Sequence, residues 1–223
     1  MLAGWYSPLH QIIGFAQLLE SETGNETTRA ERLQQIQSSG EHMLSLVNRI
    51  LEYSRLKSRE DMRAATHADL VATASEAVEH ASKAAALEAV TVSVDSIRRH
   101  VMVAAHPGEL RLALREMIAN AVKFTPRGGH VGVIIKCKAR RAAIRVADTG
   151  SGFPSHVLRS FGEPFRQGES GLARAYDGIG LGLALVRTIA EVNGGEIARV
   201  NPRGGGAAAT LVLNRAEART ANA

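Results

Sequence analysis

Asp148-Thr149-Gly150-Ser151-Gly152-Phe153 and, further on, Gly178-Ile179-Gly180-Leu181-Gly182-Leu183 are the two runs on which the reading of this chain turns. An acidic residue sits on a glycine turn. A second glycine cluster comes about one helix and a loop later. Glycine lets backbone N–H groups approach phosphate oxygens without a Cβ in the way. The carboxylate of Asp148 can accept from the donor edge of a base. Together the two runs read as a nucleotide pocket with a polar segment between them to cover it.

Composition narrows the setting. The 223 residues give room for one large domain or two small ones. The net charge of +5 is spread along the chain among alternating acidic residues, and aromatic residues make up 4%. A nucleic-acid partner is therefore not expected, since neither a basic patch nor a stacking surface stands out. Cys137 is the one cysteine, so no disulfide forms within the chain and a reducing, cytoplasmic setting fits. It lies in an apolar run and reads as core. No apolar run approaches the ~18–20 residues of a membrane span, and the first residues lack the basic start of a signal peptide.

The first 57 residues read as a helical hairpin. Leu9, Ile12, Ile13, Phe15, Leu18 and Leu19 keep the helical period over residues 4–22. Pro8 falls inside, so either the helix starts there with Ser7 as its N-cap, or it is kinked there. Gly24-Asn25 breaks the pattern, and Thr27 or Thr28 can cap the second helix. Leu33, Ile36, Met43, Leu44, Val47, Ile50, Leu51, Ser54 and Leu56 form a heptad-like stripe over residues 29–57. Two helices cannot bury both stripes, so a two-fold homodimer with a four-helix bundle is expected.

Residues 58–67 lose period and gain charge, which marks a linker. A second domain over residues 68–216 then reads as α+β: helices over 69–88, 107–124 and 181–192, and strands over 91–95, 101–104, 131–138, 142–147, 196–200 and 207–213. These predict an α/β sandwich, a mixed sheet with helices on one face. Residues 217–223 form a polar tail.

Within the helix over 107–124, Glu116, Asn120 and Lys123 stand four and three apart and share one face. A carboxylate, an amide oxygen and an ammonium there suit Mg²⁺ and phosphate, although a solvated polar face has the same pattern. Phe161-Gly162-Glu163-Pro164-Phe165 places two aromatics around a turn. Gly204-Gly205-Gly206 leads into Thr210 and reads alone as a hairpin.

In this order the features resemble the catalytic core of bacterial sensor histidine kinases. Asn120-Ala121-Val122-Lys123-Phe124-Thr125-Pro126 looks like that family's N box, Asp148-Thr149-Gly150-Ser151-Gly152 its G1 box, and residues 161–165 its F box. Residues 178–183 look like its G2 box and 204–210 its last glycine box. The resemblance implies a dimerising helical hairpin followed by a GHKL-type (Bergerat) ATP-binding domain, with ATP and Mg²⁺ as cofactors. It also implies a response-regulator receiver domain and another histidine kinase as partners. Asn120 would hold Mg²⁺, assisted by Glu116, and Lys123 would contact phosphate. Asp148 would accept from the adenine amino group, with Gly150 and Gly152 giving backbone room and Thr210 framing the ring through a water. Gly178, Gly180 and Gly182 would cradle phosphates at a helix N-terminus, where the helix field favours anions. Residues 166–177 would be the lid.

The hairpin departs from the family pattern. There a phospho-accepting histidine stands in a motif of the form His-Glu-Leu-Arg-Thr-Pro-Leu. Here Pro8-Leu9 anchors the alignment, and the acceptor position is Ala3, the neighbouring acid position Gly4. Ser7 keeps the hydroxyl of the position tied to phosphatase activity. An alanine methyl has no nitrogen to attack a phosphate. His10 stands two turns on without an adjacent carboxylate, and it and His42 read as exposed helix histidines. Three functions stand as expectations: a histidine-kinase core transferring the γ-phosphoryl group of ATP, a regulatory module that binds ATP and a partner kinase or response regulator without autophosphorylating, and another ATPase of the same fold with Glu116 activating water. The hairpin speaks against the third.

Overall fold

The computed structural model describes residues 3–21, 25–58, 66–155, 158 and 181–216. The chain opens with α1 (Ala3–Ser21) packed antiparallel on α2 (Glu26–Ser58). Helix α1 begins upstream of Ser7, with Pro8 inside it, so Ser7 is not its N-cap. Asn25, rather than Thr27 or Thr28, caps α2: its Oδ1 accepts from the Thr28 amide at 2.9 Å and the Thr28 hydroxyl at 3.0 Å. A short amide side chain one residue before a helix reaches these free N–H groups better than a threonine already inside it. Across the hairpin, Arg32 donates to the Leu18 carbonyl at 3.1 Å and Ser39 to Gln11 Oε1 at 3.1 Å. Continuing that antiparallel register brings Ala3 level with Val47.

Helix α2 presents two apolar faces where the sequence suggested one. Leu33, Leu44 and Leu51 are exposed, as are Leu9, Ile13 and Leu18 of α1. Leu46 and Leu56 are buried. Helix α2 runs to Ser58, so the first residue of the expected linker is helical.

The second unit begins with β1 (His67–Asp69), then α3 (Leu70–Leu87), β2 (Thr91–Ser96), β3 (Met102–Ala104), α4 (Pro107–Phe124), β4 (His130–Cys137), β5 (Arg141–Asp148), α5 (Gly182–Val192), β6 (Glu196–Val200) and β7 (Ala208–Asn214). Five strands form one mixed sheet in the order β2-β4-β5-β7-β6, parallel between β2 and β4 and antiparallel elsewhere. β1 and β3 form a separate antiparallel pair, His67 against Ala104. Alternation sets the sheet's inner face: Val131, Val133 and Ile135 of β4 and Ala142, Ile144 and Val146 of β5 are buried. Helices α3, α4 and α5 cover that face with Leu70, Leu114, Ile118, Leu185 and Ile189.

Local chemistry fixes the helix that carries the site. Pro107 occupies the first turn of α4, where its missing N–H costs nothing. His106 Nδ1 accepts from the Gly108 amide at 3.2 Å. Leu110, Ala113, Leu114, Met117, Ile118 and Ala121 are buried along one side, which aims Glu116 and Asn120 along its flank.

Candidate functional site

The middle and the C-terminal end of α4 each meet one glycine region. At the C-terminal end, a Cβ on Gly150 would stand 2.3 Å from the Phe124 carbonyl oxygen, so the turn after β5 packs on the end of α4 only because Gly150 has none. Asp148 closes β5, and its Oδ1 accepts from the amides of Gly150 at 2.8 Å and Ala207 at 3.1 Å. Its own amide donates to the Ala207 carbonyl at 2.9 Å. One carboxylate oxygen thus ties two loops together, and Oδ2 has no donor among the described residues. Gly206 (φ 77°) makes this closeness possible: a Cβ there would lie 1.8 Å from the Asp148 carbonyl oxygen. The Asn201 side chain clamps the turn, accepting from the Phe153 amide and donating to its carbonyl, both at 2.8 Å.

At the middle of α4, the start of α5 arrives. A Cβ on Gly182 would meet Glu116 Oε2 at 2.5 Å and the Asn120 amide nitrogen at 3.3 Å. Glu116 and Asn120 therefore share one wall, with the first turn of α5 against it. Leu181, at the N-cap of α5, makes no side-chain cap hydrogen bond, and among the described residues the first amides and the helix field are left to an anion. Glu116 is buried and accepts from Arg49 Nε of α2 at 3.0 Å. Leu46 of α2 is fully buried and packs against Leu181. Eight residues, about 12 Å of helix, separate Glu116 from Phe124, comparable with the span from a purine to the terminal phosphates of a nucleoside triphosphate.

The expected site residues are thus partly assembled. Glu116, Asn120 and Gly182 come together; Asp148, Gly150 and Gly152 form the other end, with Gly152 at φ 80°. Lys123 lies half-buried, its Nζ 5.7 Å from the Phe124 ring centre. Thr210 is not brought to Asp148. It pairs with Arg145 and Ala198 in the sheet, three residues or about 10 Å beyond Ala207 along β7. The Ala207 backbone holds the place beside Asp148 instead. Gly178, Gly180, residues 161–165 and the expected lid over 166–177 lie outside the described residues. Ser7 is exposed on α1 and lines an open groove of about 540 Å³ with His10, Gln11, Gly14, Phe15 and Leu18. Ala3 lies in the first turn of α1, level with the part of α2 that touches Glu116 and Leu181. His10 lies about 10 Å further along the helix. Arg49 was not singled out in the sequence. Its signal was the second apolar face of α2, Leu46, Ile50, Tyr53 and Leu56, which surrounds it.

Comparison with known proteins agrees with this geometry. Residues 105–217 match the family described as "Histidine kinase-, DNA gyrase B-, and HSP90-like ATPase", and residues 7–59 match "His Kinase A (phospho-acceptor) domain". The second match begins after position 3. An uncharacterized sensor-like histidine kinase of Rhizobium meliloti is 31% identical over 220 residues, covering 93% of this chain and 40% of that protein. Histidine protein kinase DivJ of Caulobacter vibrioides is 34% identical over 219 residues, covering 93% of this chain and 35% of that protein. The chain therefore spans well under half the length of these curated relatives. Among solved structures, full-length ShkA in complex with AMPPNP superposes with a TM-score of 0.71 at 28% identity, covering 96% of this chain and 44% of that one. The mycobacterial sensor histidine kinase MprB gives 0.58 at 25% identity, covering 67% of this chain and 98% of that one.

Proposed function

The chain belongs to the sensor histidine kinases as a catalytic core, and from this premise we propose that it binds Mg–ATP along α4 and presents the γ-phosphoryl group to a histidine imidazole at the level of position 3 of the hairpin. The observation that carries this reading is the pair of closures along α4, Glu116–Asn120–Gly182 and Asp148–Gly150–Ala207, with the first docked beside residues 46–49 of α2. Asp148 Oδ2 accepts the adenine amino group while Oδ1 stays on two backbone amides. Gly182 and the open amides of α5 hold phosphate, and Lys123 adds positive charge. Glu116 and Asn120 would hold Mg²⁺ through a carboxylate and an amide oxygen, the hard donors it takes, and the metal would neutralise phosphate charge there. The nucleotide seen in the ShkA complex supports ATP as the ligand.

With Ala3 at the acceptor position, the recipient is not on this chain. The phosphoryl group goes to an imidazole on another chain, and from there to the aspartate of a receiver domain. Ala3 also favours a second reading, a regulatory module that binds ATP and a partner kinase without accepting phosphate itself. The exposed leucines of α1 and α2 support a homodimer built on the hairpin, residues 1–57, with residues 68–216 as the ATP-binding domain. Labelled ATP separates the readings. Acid-labile label passing to an added histidine-kinase hairpin with an intact histidine supports the catalytic core. Nucleotide binding without transfer supports the regulatory module. Label on this chain, lost in His10→Ala, overturns the exclusion of His10.

A further inference from the structure

Resting on the reading of Glu116 and Asn120 as the metal end of the pocket, we propose that Arg49 is a latch. Its guanidinium takes the place of the nucleotide's metal at Glu116, so that docking of α2 on the ATP-binding unit and loading of Mg–nucleotide compete.

Three observations carry this. First, α2 has a dedicated docking face: Leu46, Arg49, Ile50, Tyr53 and Leu56 recur at helical spacing, with Leu46 against Leu181 and Leu56 and Tyr53 against the main core. Second, the charged member of that face reaches a buried carboxylate, Glu116, at 3.0 Å. A buried carboxylate stripped of its cation is strongly disfavoured, so the ion pair holds the dock closed. Third, the same carboxylate lies against Gly182 and beside Asn120, where the metal belongs. A guanidinium and a divalent cation on one carboxylate repel each other. Because the apolar half of the dock rests on Leu181, the residue that opens α5, α2 touches both the carboxylate and the phosphate-binding helix start. Competition is reciprocal: whatever factor the dock takes from Mg–nucleotide affinity, Mg–nucleotide takes from the dock.

Two measurements on the whole chain test the latch. The first is calorimetric binding of AMPPNP with and without Mg²⁺ to the unsubstituted chain and to Arg49→Met, which keeps an apolar stem and removes the charge. Arg49→Met is expected to tighten Mg–AMPPNP about fivefold or more and leave metal-free AMPPNP within about twofold. The second keeps Arg49 and reads the dock directly, as maleimide labelling of Leu46→Cys in a Cys137→Ser background. Labelling is expected to be slow in the free protein, since Leu46 is 0% exposed, to accelerate with Mg–AMPPNP, and to stay slow with AMPPNP in chelator. Equal or weaker Mg–AMPPNP binding by Arg49→Met, or labelling indifferent to Mg–AMPPNP, overturns the latch while the pocket stands. Failure of the unsubstituted chain to bind AMPPNP under either condition overturns both.

Discussion

At the scale of single residues, the pocket depends on atoms that have one task each. On the proposed reading, Asp148→Asn keeps an oxygen for the amides of Gly150 and Ala207 but turns an N–H₂ group toward the base, donor against donor. A hydrogen bond to a charged group is worth about 1.5–3 kcal/mol, so nucleotide affinity is expected to fall roughly 10- to 100-fold with the fold retained; calorimetry together with an unchanged urea midpoint checks this. Gly206→Ala acts differently. Its φ of 77° and the 1.8 Å approach to the Asp148 carbonyl leave no room for a methyl group, so both stability, by about 1–3 kcal/mol, and binding are expected to drop. Asp69 contributes to acid stability. Burial works to raise its pKa, but the hydrogen bond from His100 and the amides of Val101, Val71 and Ala72 outweigh it and hold the carboxyl below its ordinary value. A lowered folded pKa means stability that is present above the ordinary value and lost as the pH falls through the lower one. In Asp69→Ala the acid fall of the urea midpoint should be shallower, from a start about 1 kcal/mol lower because the cap of α3 is gone.

At the scale of elements, α2 is the helix with the most to satisfy. Its exposed Leu33, Leu44 and Leu51 are free for a second copy, and replacing all three by Gln should convert a dimer to a monomer in sedimentation without loss of helix signal. A dimer that persists would place the interface elsewhere. Leu46→Ala, on the opposite face, is expected to cost about 2–5 kcal/mol of local docking. Much of the architecture was legible because period and punctuation agreed: Pro107 with the 3.6-residue stripe of α4, and the alternation of β4 and β5. The β1–β3 pair was not, since three-residue strands carry no period. Thr210 was misplaced because motif spacing says nothing of strand register, and pairing with Arg145 carries it away from Asp148. The docking face of α2 was hidden because the heptad-like stripe merges its Ile50 and Leu56 with Leu33, Leu44 and Leu51, which face outward. Asn25 caps α2 because it stands just before the first turn, whereas Thr27 and Thr28 already lie inside it.

At the scale of the whole molecule, the proposed nucleotide pocket is held against a helical hairpin at the height of Ala3, which on the proposed reading stands in place of the acceptor. On that reading the pocket's ends are set by α4, its phosphate end by α5, and its approach to the hairpin by Arg49 and Leu46. Once Mg–nucleotide has displaced Arg49 from Glu116, such a chain should need only an imidazole and its neighbouring acid at positions 3 and 4 to phosphorylate itself. The most direct measurement is incorporation of acid-labile label from γ-labelled ATP into the unsubstituted chain and into the double substitution Ala3→His with Gly4→Glu. No label on the first and label on the second is the expected result. Label on the unsubstituted chain, or none on a restored chain that still binds Mg–ATP, would contradict it.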